Sequence, residues 1–205
     1  MIVIVDYGMG NLGSILNMLK KIGVSARVSS DTHEIEAAEK LILPGVGAFD
    51  TGMLRLRELG LLEILDSKAF VHKTPVLGVC LGMQLLTKES EEGLLPGLGW
   101  IDGKAIRFRF DPKQSNLKIP HMGWNSVTIH REGSLFKGMD QDVRFYFVHS
   151  YHIVCNDEQD VLATTDYGYG FVSAVQRENI MGAQFHPEKS HKFGMKLLKN
   201  FVELA

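Results

Sequence analysis

Residues 75–86 (Pro-Val-Leu-Gly-Val-Cys-Leu-Gly-Met-Gln-Leu-Leu) change their hydrophobic period at a single point. An apolar, β-branched run stops at Cys80, and an amphipathic stretch begins at Leu81. Gly78 and Gly82 stand two residues either side of the cysteine, the Gly-x-nucleophile-x-Gly spacing of a strand-to-helix elbow. Such a turn holds its central residue in a strained backbone region, and side chains at the two flanking positions would collide. It also sets the sulfur at a helix N-terminus, where the dipole and free amides favour thiolate. Leu81 N–H, directly after the cysteine, is a candidate donor to an oxyanion. The same run equally fits a small buried hydrophobe, the usual situation of a free cysteine.

Strand and helix signals alternate around this elbow. Residues 2–5, 25–29, 41–43 and 75–79 are short unbroken apolar strands. Residues 11–22, 52–65 and 81–90 carry apolar side chains at helical spacing. Alternation of this kind predicts an α/β fold with a mostly parallel central sheet and helices on both faces, and the unbroken apolar strands agree because both faces are covered. The second half changes character. Short strand candidates at 104–109, 124–129, 144–149, 151–155, 161–165, 171–177 and 180–185 suggest antiparallel additions, and 191–204 reads as a closing amphipathic helix. The polar stretch at 109–116 reads as a loop. With no linker or repeat, the 205 residues read as a single domain, 1–205.

Composition narrows the partners and the compartment. The net charge of −2 offers no basic field for nucleic acid. No apolar run approaches the roughly 20 residues of a membrane span. Two cysteines, Cys80 and Cys155, make no disulfide framework, which fits a reducing cytoplasm. The start, Met1 to Asp6, reads as a strand rather than a leader.

A partner for the Cys80 sulfur follows the strand at 180–185. His186 and Glu188 are two apart, so in extended chain they share a face, with Pro187 pointing away and ending sheet pairing. Cysteine, histidine and carboxylate are the parts of a nucleophilic triad; alone, His-Pro-Glu would be an ordinary surface turn. Two other motifs compete. Gly8-x-Gly10-x-x-Gly13 with Asp31 downstream matches the dinucleotide fingerprint, or else a glycine-rich turn that lets a helix pack closely on the sheet. His149 and His152, three apart on strand-like sequence, should point to opposite faces, and His186, Glu188 and His191 lack the helical spacing of zinc hydrolases. No metal site is expected.

Taken together, Pro44-Gly45-Val46-Gly47, the Cys80 elbow with Gln84, and His186-Pro187-Glu188 resemble the class I (triad-type) glutamine amidotransferases. The runs 6–11, 120–125 and 147–151 are similar to the glutaminase subunits of imidazole glycerol phosphate synthase within that family. The resemblance spans residues 6 to about 190 and implies the class I amidotransferase fold, with no cofactor. It implies Cys80, His186 and Glu188 as catalytic residues, with oxyanion stabilisation from the Gly45-Val46-Gly47 loop and Leu81. It marks Gln84, Glu92, Ser150 and Tyr151 as glutamine-binding positions. It further implies a heterodimer with a (β/α)8-barrel cyclase subunit that receives the ammonia, contacted through Asn11, Met122, Trp124 and Lys189. Trp124, read alone, could be a core aromatic instead.

Overall fold

The computed structural model describes residues 1–111, 117–131, 134–140 and 142–204. The end of the polar stretch at 109–116, residues 112–116, thus lies outside the described residues. The first half alternates as expected: β1 (Ile2–Val5), α1 (Leu12–Lys21), β2 (Ala26–Ser29), α2 (Thr32–Glu36), β3 (Lys40–Gly45), α3 (Phe49–Glu58), α4 (Leu62–Asp66), β4 (Val76–Cys80) and α5 (Leu81–Leu85). Strands then dominate: β5 (Glu89–Ser90), β6 (Gly103–Arg107), β7 (His121–Ser126), β8 (Thr128–Ile129), β9 (Arg144–His149), β10 (Tyr151–Cys155), β11 (Val161–Asp166), β12 (Gly170–Arg177) and β13 (Ile180–Ala183). The closing helix is α6 (His191–Val202).

The large sheet runs β2-β1-β3-β4-β13-β12-β10-β6-β5, with β11 and β8 attached beside β12. Pairings from β2 through β13 are parallel, whereas β13–β12, β12–β10 and β10–β6 are antiparallel. Successive residues of β1 serve different cores: Ile2 and Ile4 pack with Leu19, Leu197 and Phe201 on one face, and Val3 and Val5 with Met53, Leu56 and Leu65 on the other. This two-residue alternation of burial is the physical content of helices on both faces.

Three expectations fail locally, and one element is new. The helix expected over 52–65 is two helices. Gly60, at φ +66°, ends α3 while Gly60 N–H bonds Arg57 O at 3.0 Å and Leu61 N–H bonds Leu56 O at 2.9 Å, the hydrogen-bond pair of a Schellman cap. The helix expected over 81–90 ends at Leu85, because residues beyond it bond to β6 and its edge, with Lys88 N–H on Gly103 O at 3.0 Å. The strand expected at 124–129 starts at His121 and pairs with β9 in a separate two-stranded sheet. The short α2 was not anticipated; Asp31 caps it by accepting from His33 N–H at 2.8 Å and Glu34 N–H at 3.2 Å. That capping also occupies the carboxylate on which a dinucleotide reading would rest.

Register places the chemistry. Within the parallel block, β3 pairs with β4 so that Gly45 faces Cys80, and β13 pairs with β4 so that Ala183 faces Val79. Three neighbouring strands therefore deliver the Pro44–Gly47 loop, the cysteine and the histidine to the same end of the sheet. In an open α/β sheet that is the carboxyl end, where ligands bind.

Candidate active site

Cys80 has φ +54° and ψ −109°, the strained conformation expected of an elbow nucleophile. Its glycine neighbours are required by contact. A Cβ on Gly78 would come within 2.7 Å of Gly82 O, and one on Gly82 within 1.8 Å of Leu43 O. Gly45 is equally constrained: a Cβ there would lie 2.6 Å from Tyr7 Oη and 2.8 Å from Leu81 Cβ. The end of β3 can touch the elbow only because these positions carry no side chains.

His186 follows β13 and is fixed through its backbone. Its N–H donates to Tyr146 O at 2.9 Å, and its carbonyl accepts from Ser190 Oγ at 2.6 Å. Ser190 Oγ in turn accepts from Tyr146 N–H at 3.0 Å. Pro187–Lys189 form a 3-10 turn. His186 and Glu188 therefore do not meet by strand alternation, as their spacing suggested; the turn brings His186 Nδ1 and Glu188 Oε1 to 2.8 Å, with both side chains 2% exposed. Nor does Pro187 end the sheet pairing, since β13 stops at Ala183 and Gln184 N–H makes a last bond to Ser173 O at 2.9 Å.

Burial alone would depress the His186 imidazole. Interaction with Cys80 and the hydrogen bond to Glu188, with the negative charges of both, overcome it and hold the pKa up at about 10. The Nδ1–H donated to Glu188 leaves Nε2 for the sulfur. Tyr7 is fully buried and donates its hydroxyl to Pro44 O at 2.5 Å. Burial, then the Cys80 charge, push that phenol well above its usual range.

A cavity of about 260 Å³ opens onto these groups. Its walls include Cys80 and His186 together with Val46, Gly47, Leu81, Gln84, Glu92, Ser150 and Tyr151. Gly45 is not one of the wall residues; it stands opposite Cys80 in the β3–β4 pairing. Glu92 caps α3, accepting from Phe49 N–H at 2.9 Å. Gln84 Nε2 donates to Tyr151 O at 3.0 Å and to Gln184 Oε1 at 3.1 Å.

The chain passes from the small sheet to the large one at Ser150, between β9 and β10. That crossing exposes the Ser150–Tyr151 segment to the cavity. It also overturns the expectation for the two histidines: His149 and His152 do not diverge, and their rings lie 5.2 and 4.7 Å from the Phe108 ring. Strand alternation does not carry across a break between sheets. His149 lines the cavity, and its Nε2 is 3.1 Å from His121 Nδ1. No group of three or more His, Cys, Asp or Glu side chains is placed to hold a metal among the described residues.

The residues that the resemblance assigns to a partner contact are placed separately. Asn11 caps α1, Met122 is 62% and Trp124 44% exposed, and Lys189 Nζ lies 5.7 Å above the Tyr146 ring. Trp124 is thus no core aromatic; it stacks on His191 at 5.6 Å on the surface of β7. The glycine-rich turn before α1 does not serve helix packing at Gly13, where a Cβ would meet nothing within 4 Å. Gly10 is the tight position, because a Cβ there would lie 3.1–3.3 Å from Pro44 and Gly45.

Sequence reasoning missed Tyr7, Gln184, Ser190 and His149. A glutamine inside the apolar strand at 180–185 was the one available signal.

A sequence model of the family described as glutamine amidotransferase class-I matches residues 3–204. The chain belongs to the class I glutamine amidotransferases. It is 55% identical, over the full length of both chains, to imidazole glycerol phosphate synthase subunit HisH 2 of Methanococcus maripaludis. It is 54% identical, again over the full length of both, to the subunit of the same name from Pseudomonas aeruginosa. A solved glutamine amidotransferase superposes with a TM-score of 0.71 at 22% identity, covering 98% of this chain and 97% of that one. This amidotransferase is therefore a glutamine-hydrolysing enzyme subunit of the HisH group, with the mixed α/β sheet of the class I fold.

Proposed function

We propose that Cys80, His186 and Glu188 are the triad by which this chain hydrolyses glutamine to glutamate and ammonia. The chain is the glutaminase subunit of imidazole glycerol phosphate synthase, in histidine biosynthesis. The observation that carries the residue assignment is the cavity in which the strained cysteine and the Glu188-bound imidazole meet the residues marked for glutamine.

In this reading glutamine lies with its side-chain amide carbon beside Cys80. The thiol proton passes to His186 Nε2 and the sulfur attacks, forming the S–C bond as the carbonyl pair moves to oxygen. Glu188 holds the Nδ1–H tautomer and stabilises the imidazolium. Leu81 opens α5, so its N–H has no intrahelical acceptor; with an amide of the Gly45-Val46-Gly47 loop it stabilises the oxyanion. The tetrahedral intermediate collapses, His186 returns the proton to the leaving nitrogen, and ammonia departs. Water then hydrolyses the γ-glutamyl thioester. Glu92 takes the substrate ammonium, and Gln84 and the Ser150–Tyr151 backbone take the rest of the amino acid.

The whole chain acts as one amidotransferase domain and docks on a (β/α)8 cyclase subunit as a heterodimer. Asn11, Met122, Trp124 and Lys189 form that face. Ammonia crosses directly to the cyclase, which makes imidazole glycerol phosphate and an aminoimidazole carboxamide ribonucleotide. The complex is cytoplasmic and engages neither nucleic acid nor membrane. No helix among the described residues is long and apolar enough to cross a membrane.

The test is glutamine hydrolysis measured with and without the cyclase and its nucleotide ligand. The expected result is poor hydrolysis alone, strong activation by the liganded partner, and loss of at least about 10⁴-fold with Cys80→Ala. Unchanged hydrolysis by Cys80→Ala would overturn the triad, and full activity without the partner would overturn the coupling.

A further inference from the structure

Gln184 is fully buried at the end of β13, directly ahead of Phe185 and His186, and the triad chemistry above leaves it unused. Its Nε2 lies 3.7 Å from Cys80 Sγ and donates to it; its Oε1 accepts from Gln84 Nε2 at 3.1 Å. Gln84 Nε2 also donates to Tyr151 O at 3.0 Å. This chain of contacts admits only one orientation of both amides. Gln84 must present nitrogen, because it faces the backbone carbonyl of Tyr151. Gln184 must then present oxygen to Gln84, which turns its NH₂ group onto the sulfur. A buried glutamine set in this way is a fixed donor.

We propose that Gln184 is a second hydrogen-bond donor to the Cys80 sulfur, held in register by Gln84, that stabilises the thiolate before attack. The inference rests on Cys80 being the nucleophile. His186 and Gln184 would serve the sulfur in different ways. His186 takes the proton and later returns it, so its donation ends when it delivers the proton to the leaving group. Gln184 exchanges no proton, so its N–H stays on the sulfur throughout the thiolate's lifetime. A donor of this kind substitutes for the helix N-terminus expected at the elbow, because α5 is a single short turn of five residues, Leu81–Leu85. It also gives Gln84 a structural duty besides facing the substrate: it orients the donor.

Hydrogen bonding to a thiolate raises its population and lowers its intrinsic nucleophilicity, with a Brønsted coefficient of about 0.4–0.5. Loss of the donor therefore has a signature that misplacement of the cysteine lacks. The rate falls where thiolate is scarce, and the alkaline plateau stays level or rises. The test is iodoacetamide alkylation of Cys80 in the full chain as a function of pH. Modification is read by peptide mass so that Cys155 is scored separately. Glutamine is absent, so the outcome does not depend on the substrate assignment. Gln184→Met keeps the volume and removes the donor. The titratable groups that face the sulfur or its cavity, His186, Tyr7, His149, Glu92 and Tyr151, are unchanged.

The expected result is alkylation slowed about tenfold at neutral pH, as for loss of a hydrogen bond to a charged group, with the curve displaced to higher pH and an undiminished plateau. Gln84→Met, which frees the Gln184 amide to rotate, should displace the curve in the same direction by a smaller amount. A Gln184→Met curve that superimposes on the wild type, or a lowered plateau with an unmoved midpoint, would overturn the proposal. If melting shows that Gln184→Met does not fold, Gln84→Met decides, and its unaltered curve is equally fatal.

Discussion

The elbow that carries Cys80 and the turn that carries His186 end in the same cavity, yet they are held there by different physics. At the elbow the restraint is steric and local. Gly78, Gly82 and Gly45 leave out Cβ atoms that would stand within 2.8 Å of neighbouring backbone or side chains, and the backbone of Cys80 is forced to φ +54° as a result. At the turn the restraint is polar and long-range. His186 and Ser190 bind the backbone of Tyr146, 40 and 44 residues away, and Glu188 binds the ring. A steric restraint fails abruptly when a methyl group is added, whereas a hydrogen-bonded one loosens one contact at a time. Substitutions on the two sides should therefore differ in kind as well as in size.

The largest effect is expected at the elbow. In Gly82→Ala the new methyl carbon would sit 1.8 Å from the Leu43 carbonyl oxygen, and backbone cannot step aside as a flexible side chain would. We expect at least about 3 kcal/mol of destabilisation, seen as a lowered urea midpoint or as failure to fold. A Gly82→Ala protein of wild-type stability would break the steric half of the comparison.

On the polar side, Glu188→Gln should leave the fold in place and cut glutamine turnover by about 10²–10⁴-fold. The carboxylate is one of the groups that hold the His186 imidazole up at about 10 against its burial. An amide of the same shape keeps a contact but neither the charge nor the enforced tautomer. If kcat stays within twofold of wild type, Glu188 does not orient the base.

How far each side was legible in the sequence follows the same division. Steric demands leave glycines at fixed offsets, so the elbow at Cys80 could be read from Gly78 and Gly82, whereas the role of the Pro44–Gly47 loop came from the family resemblance. The parallel sheet was legible for a related reason: strands buried on both faces, such as β1 and β3, are continuous apolar runs. The polar restraints left no comparable trace. Ser190 and Tyr7 are ordinary residues until folding sets them against Tyr146 and Pro44. His186 and Glu188 were rightly paired for a wrong reason, since a 3-10 turn and not an extended strand unites them. His149 and His152 were misjudged because nothing near Ser150 announces that the chain changes sheets there.

The buried histidines extend the comparison to pH. His149 is held down at about 3, by burial first, against a supporting bond to Tyr151 O, and also by the charges of neighbouring histidines; burial alone holds His121 at about 4. Their bonds fix neutral tautomers: His149 Nδ1–H donates to Tyr151 O at 2.7 Å, so His149 Nε2 accepts from His121 Nδ1–H at 3.1 Å. The unfolded chain binds protons at both imidazoles as pH falls below about 6.5, while the folded chain does not until pH 3–4. Stability is therefore complete above about 6.5 and declines as pH falls toward the folded-state values. At pH 5 the loss should be roughly 2 kcal/mol for each imidazole at most. Melting curves at pH 7.5 and 5 should show it, and the His121→Gln, His149→Gln double variant should melt more evenly across that range. A wild-type melting temperature that does not fall on acidification would remove the two rings from the set of restraints around the cavity.

The smallest effect expected is the most informative about the polar restraint. Ser190→Ala removes a hydroxyl that donates to His186 O at 2.6 Å and accepts from Tyr146 N–H at 3.0 Å. His186 keeps its own N–H bond to Tyr146 O, so the turn keeps one of its two hydrogen-bonded links to β9. The Tyr146 N–H is left without its acceptor, and an unsatisfied buried group of this kind costs about 1–3 kcal/mol. We expect a stability loss near the lower end of that range. Turnover should fall about threefold to tenfold, because the imidazole is held less firmly against a sulfur that has not moved. The distinguishing measurement is alkylation of Cys80, which should be nearly unaffected when turnover falls. If Ser190→Ala slows alkylation and turnover equally, the nucleophile and the base are not separately restrained, and the contrast between a steric and a polar side of the cavity fails.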